Sequence, residues 1–391
     1  MISSDGAAKN KATTRVHSIE GWVFRCPIER PVQTSFGIMH DRPALFVRAV
    51  DEFGGQGWGE IWCNFPGVGA EHRARLVQSV LAPLILGREF QGPEHAFTEM
   101  TNSTKVLALQ SGEPGPIAQC IAGIDIALWD LAARGAGLPL WQYLGGSAGK
   151  VNTYASGLNP TSPDELAAER WKDGFRAFKL KVGFGDERDL GNLRALRNRL
   201  GNECSLMVDA NQAWDIETTA RMAERMHGFR LDWLEEPVVA DTPWWVWQDI
   251  AANSPIPLAA GENLRELSSF DEAIRCRALA VIQPDIAKWG GVSGCLQVAR
   301  NTISAGLRYC PHYLGGGIGL LASAHLLAAV GGDGFLEIDA NPNPLREMMS
   351  RALGYPDCGV CTLDAAPGLG DMPDINSQPF SRWLAFKFEA E

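Results

Sequence analysis

The chain has 391 residues, 46% of them hydrophobic, enough for one large barrel and a smaller domain beside it. Its 35 basic residues against 46 acidic ones leave a net charge of −11, which argues against nucleic acid and anionic membranes as partners. No run of 18 apolar residues announces a transmembrane helix, residues 1–15 lack the apolar centre of a secretory signal, and nine scattered cysteines with a single C-x-x-C (Cys358, Cys361) read as the reduced thiols of a cytoplasmic protein.

Taken in order, residues 1–15 are expected to be a disordered lead-in. Residues 16–26 and 44–50 have strand patterns, and 51–55 turn into a third strand over 56–62, giving an antiparallel sheet. Helical patterns follow over 71–84 and 116–134. In the second, Ile117, Cys120, Ile121, Ile124, Leu128 and Leu131 recur at spacings of three and four, which makes an apolar face. A short helix over 138–144 closes an α+β capping domain of residues 16–147. Two of its loops, 31–41 and 62–69, are long enough to close over a polar site. They make Phe36, His40, Trp62, Asn64 and Phe65 candidates for substrate contact.

From residue 148 the pattern changes. A strand over 151–155 and a helix over 163–172 precede a strand ending in Lys179-Leu180-Lys181 and a charged helix over 186–200. Thereafter Lys181, Asp209, Glu235, Glu262, Asp285, His312 and Glu337 each end a short apolar run, at intervals of 23 to 28 residues. A strand, a helix and two loops take roughly 25 residues, so the interval is that of a βα unit. The expectation is a (β/α)8-type barrel over 148–365, with its site at the C-terminal face where the strand ends converge. Helices are expected at 292–305 and 320–330. Residues 366–391 end in an apolar tail expected to return to the capping domain.

The chemistry follows from the residue types. Asp209, Glu235 and Glu262 on consecutive strand ends repel one another unless a cation lies between them, and hard oxygen donors select Mg2+. The competing expectation is salt bridges to barrel lysines. Lys179 and Lys181, two apart on a strand, share a face and can depress each other's charge, leaving Lys181 as a base. Asp285 beside His312 fixes the imidazole tautomer and raises its basicity. Glu337, with Asp339 as competitor, is placed to stabilise an anionic oxygen, as a protonated acid or a hydrogen-bonded carboxyl. Together they fit removal of the proton α to a carboxylate held on Mg2+, by Lys181 or His312.

These segments resemble the enolase superfamily and, within it, the mandelate racemase subgroup. The segments are Lys179-Leu180-Lys181, Val208-Asp209-Ala210-Asn211-Gln212, Leu234-Glu235-Glu236-Pro237, Gly261-Glu262-Asn263, Gln283-Pro284-Asp285 with Lys288 and Gly290-Gly291, Pro311-His312 and Leu336-Glu337. The resemblance runs from about residue 16 through nearly the whole chain. It implies that Lys179 assists Lys181, that the first glutamate of the 235–236 pair is the ligand, that Asn211 contacts substrate, and that the chain forms a homo-oligomer. It also implies acid-sugar dehydration to a 2-keto-3-deoxy acid, with racemisation, epimerisation or sugar-acid lactone cycloisomerisation as the alternative. A catalytically silent metal-binding barrel would have lost a motif residue, and every motif position is occupied.

Overall fold

The computed structural model describes residues 13–33 and 37–391; most of the expected lead-in and Phe36 lie outside them. Thr14 and Arg15 already belong to the first strand. The strands Thr14–Gln33, Ile38–Asp51 and Gln56–Ile61 form an antiparallel sheet, joined on its outer edge by the C-terminal strand Leu384–Ala390. The expected loop over 31–41 is therefore largely strand, because the first two strands extend to Gln33 and from Ile38.

The apolar helix Pro114–Gly135 lies across this sheet. By length and composition it could cross a membrane, but 83% of its apolar window is buried inside the protein. Its approach depends on glycine: a Cβ on Gly59 would stand 1.9 Å from the carbonyl oxygen of Gly123, and one on Gly57 2.1 Å from that of Ala127. A long helix over Pro93–Ser111 has only a weak apolar face and is absent from the sequence-based expectations.

Eight parallel strands make the barrel, in order Lys150–Leu158, Ala177–Lys181, Ser205–Asp209, Leu234–Glu235, Leu258–Ala260, Val281–Ile282, Arg308–Tyr309 and Phe335–Asp339, with the eighth paired to the first. Helices Pro163–Lys172, Asp186–Leu200, Gly291–Ser304 and Gly317–Val330 follow the first, second, sixth and seventh strands. The parallel register sets Lys181 beside Asp209 and Asp209 beside Glu235. Asp285 and His312 lie past the ends of the sixth and seventh strands and still pair in a parallel bridge. Cys358 is exposed, Cys361 is buried, and both are free thiols.

Candidate active site

The second strand supplies two lysines that the barrel treats differently. Lys179 is wholly buried, and its ammonium lies 2.6 and 2.8 Å from the two oxygens of Glu235 and 2.8 Å from Glu337. Burial disfavours its charge, but these carboxylates outweigh it and hold the amine well above its ordinary basicity. Lys181, nearer the mouth, meets Asp209 at 2.5 Å. Burial and Lys179 both lower its basicity, yet the net direction is upward because Asp209 and Glu235 together outweigh them. The lysine pair alone suggested a depressed Lys181; the adjacent carboxylates reverse that expectation.

Asp285 and His312 form the expected dyad. Nδ1 of His312 is 2.8 Å from Asp285, whose other oxygen accepts the amides of Ala287 and Lys288. Nε2 points the other way, 2.5 Å from Glu262. Burial opposes protonation, but Glu262, Glu337 and Asp285 raise the imidazole well above its ordinary value. The direction favours the protonated imidazole.

Glu337 accepts the hydroxyl of Ser156, the Lys179 ammonium and the amide of Tyr313 at 3.0 Å. Burial alone would raise its pKa, but Lys179 and His312 bring it down to about 2. Both of its oxygens are hydrogen-bonded, as the expected hydrogen-bonded carboxyl requires.

Of the expected substrate contacts, Asn211 is buried at the end of the third strand and donates its amide (2.7 Å) and side chain (3.2 Å) to Asp209. His40 is exposed on the second strand of the capping sheet. Trp62 and Asn64 reach the barrel: the Lys288 ammonium sits 5.0 Å from the Trp62 ring, and Asn64 donates to the carbonyl of Leu314 at 2.7 Å.

Several residues at the site were given no role in the sequence, although Gln283, Lys288 and Glu236 lie within the motif segments. Gln283 donates to Glu235 at 2.7 Å, Lys288 lies 3.1 Å from Glu262, and Ser156 meets Glu337. Gln283 could have been found, since it precedes Asp285 by two and shares its face. Glu236, passed over in favour of Glu235 as the ligand, is the most constrained of them. It is 1% exposed, takes φ +37°, and accepts from Asn263 at 2.9 Å and Gln212 at 3.1 Å. A left-handed glutamate at a strand end is a costly conformation, and such strain gathers at functional sites.

Charge decides which ion these residues suit. Six carboxylates (Asp209, Glu235, Glu236, Glu262, Asp285, Glu337) share the mouth with Lys179, Lys181, Lys288 and His312. The carboxyl groups outnumber the cationic side chains, which favours a cation among them. The excess shows in the acidities. Burial and neighbouring carboxylates push Glu235 up to about 7 and Glu236 up to about 8. Among the described residues, no three acidic, histidine or cysteine side chains are gathered closely enough to hold an ion as they stand, because lysines and His312 reach in between them. The donors fit Mg2+ in kind and charge.

Two family models match the chain: mandelate racemase / muconate lactonizing enzyme, N-terminal domain, over residues 18–145, and enolase C-terminal domain-like, over residues 164–376. A D-galactarolactone cycloisomerase of Agrobacterium fabrum is 30% identical over 359 residues, 88% of this chain and 92% of that protein. The crystal structure of a mandelate racemase/muconate lactonizing enzyme from Bordetella bronchiseptica RB50 superposes with TM-score 0.89 at 53% identity, covering 93% of this chain and 98% of the other. That of an L-talarate dehydratase from Polaromonas sp. JS666, complexed with Mg and L-glucarate, superposes with TM-score 0.81 at 25% identity, covering 97% and 99%. Relatives include acid-sugar dehydratases, cycloisomerases, racemases and epimerases.

Proposed function

The chain belongs to the mandelate racemase/muconate lactonizing enzyme family of the enolase superfamily, and from that membership we propose that it dehydrates an acid sugar to a 2-keto-3-deoxy acid. The observation that carries the reading is the pairing of opposites around one carboxylate cluster. Lys181 stands at the second strand, and an imidazolium held by Asp285 stands beyond the sixth and seventh, on the other side of the barrel by strand order.

Asp209, Glu235 and Glu262 would hold a Mg2+ ion, which when bound supplies positive charge against which a substrate carboxylate can accumulate negative charge. Lys181, once its amine is neutral, takes the proton from Cα, and the electron pair moves into the carboxylate. Lys179, anchored between Glu235 and Glu337, holds a fixed ammonium behind the carboxylate cluster. The pair then returns to form the Cα–Cβ double bond as the Cβ–oxygen bond breaks. The departing hydroxyl takes the His312 proton and leaves as water. The resulting enol becomes the 2-keto acid when Cβ gains a proton. His312 suits the acid role because Asp285 holds Nδ1 and leaves Nε2 facing the carboxylate cluster.

A second reading, proton return to the same carbon or lactone cycloisomerisation, is favoured by the likeness to the D-galactarolactone cycloisomerase over 88% of the chain. A library of aldonates, aldarates and their lactones, incubated with the enzyme and Mg2+ and stained with semicarbazide, separates the two. A 2-keto-3-deoxy product supports dehydration. Cα deuteration in D2O with every hydroxyl retained would replace dehydration by isomerisation.

A further inference from the structure

The segment that carries His312 into the next helix is held by the capping domain. Glu60, in the strand Gln56–Ile61, is 2% exposed and reaches the barrel, not its own sheet. One of its oxygens accepts the amide of Gly316, and the other accepts that of Gly319 at 2.9 Å. These amides open the helix Gly317–Val330, so a buried carboxylate closes a helix N-terminus that belongs to the other domain. Glycine makes room for it: a Cβ on Gly316 would stand 2.7 Å from Glu60, and one on Gly315 3.0 Å. Two neighbours fix the same segment. Asn64 of the capping domain donates to the carbonyl of Leu314 at 2.7 Å, and Asn343 donates to that of Gly315 at 2.9 Å. Inside this held segment the amide of Tyr313 donates to Glu337 at 3.0 Å, next to His312.

We propose that Glu60 is a positioning residue for the His312–Glu337 side of the site, and that the capping domain sets the placement of residues 312–316 through Glu60 with Asn64. The side-chain chemistry is specific. A glutamine keeps one acceptor but turns an NH2 group towards the second amide, so one of the two bonds is lost and one donor opposes another. Loosening this segment moves Tyr313 off Glu337 and lets His312 drift from its partner. A displacement of about 1 Å at a reacting group is enough to cost roughly a hundredfold in rate. The consequence for turnover rests on the function proposed above; the placement itself rests only on the contacts.

The test uses the full chain with Mg2+ and two variants, Glu60→Gln and Asn64→Ala. Hydrogen exchange read by mass spectrometry reports the placement, and kcat and KM on the acid sugar found by the screen report the consequence. Glu60→Gln is expected to speed exchange of the 313–319 amides roughly tenfold while the Ala177–Lys181 strand is unchanged, and to lower kcat at least about tenfold with KM within about twofold. Asn64→Ala is expected to move both readouts the same way by less. Exchange that rises equally across the capping sheet and the barrel would overturn the proposal, as would a loosened segment with kcat intact. If Glu60→Gln does not fold, a folded Asn64→Ala with unchanged exchange and kcat overturns it. If the wild type turns over no acid sugar, the functional reading fails, and the exchange pattern alone still decides the placement.

Discussion

At the scale of single residues, the site separates two bases by their neighbours more than by their kind. Lys181 has one carboxylate, Asp209, at 2.5 Å, whereas His312 is gripped on both ring nitrogens, by Asp285 and Glu262. Asp285 favours the protonated imidazole independently of Glu262, which suits His312 to donate, whereas Lys181 loses its one ion-pair partner when Asp209 is engaged elsewhere. The roles can therefore be split in one experiment. In D2O, Lys181→Met is expected to lose both Cα deuteration and product, each by a factor of roughly 10² to 10⁴. His312→Asn is expected to lose product to the same extent while Cα deuteration persists, because the proton is taken on the lysine side. NMR of the recovered substrate reads both. Loss of deuteration in His312→Asn would reverse the assignment and make His312 the first base.

At the scale of elements, the barrel was legible and the joints between domains were not. Each βα unit must supply its own strand and its own polar end, so the interval from Lys181 to Glu337 records the architecture locally. Glu60, Asp125 and Arg42 are different. Glu60 meets Gly316, Asp125 meets Ser293, and Arg42 meets Asp339 at 2.7 Å, across 168 to 297 positions of sequence. A buried acidic residue in an apolar helix, as Asp125 is in Pro114–Gly135, signals that something must satisfy it but not what. Here it is the first turn of Gly291–Ser304: Asp125 accepts the amide and hydroxyl of Ser293 at 2.9 and 2.6 Å. Burial pushes its carboxyl up to about 8 in spite of these donors. A carboxyl raised by folding binds its proton more tightly in the native state. Its stabilising effect is full below the ordinary carboxylate pKa and is lost as pH rises towards 8, with a slope of at most about 1.4 kcal/mol per pH unit. Asp125→Asn, which cannot ionise, is expected to flatten the fall in denaturation midpoint between pH 5 and pH 8. A variant that declines as steeply as the parent would assign the trend to other groups.

At the scale of the whole molecule, an acidic chain concentrates negative charge at the mouth of one barrel and then inserts lysines and an imidazole between the carboxylates. The strand period placed Asp209, Glu235 and Glu262 at the ends of neighbouring strands. The contact of Lys288 with Glu262 was not legible, because Lys288 enters through loop geometry, not strand period. The cationic filling explains why ion binding should be visible without turnover. An ion that binds the native state alone stabilises it by about 2.7 kcal/mol at a concentration of 100 times its Kd. Asp209 and Glu262 each carry a buried charge shared with only one or two cations, so removing either charge removes much of the attraction. Mg2+ is therefore expected to raise the thermal midpoint of the wild type in a concentration-dependent way, EDTA to reverse the rise, and Asp209→Asn and Glu262→Gln to abolish it. A midpoint indifferent to Mg2+ in the wild type would mean that the lysines and His312 already satisfy the carboxylates, and the proposed ligand set would have to be abandoned. A rise that persists in both variants would move the ion to a different set of oxygens, with Glu236 the first to test because it lies beside Glu262 and shares the Asn263 amide with it.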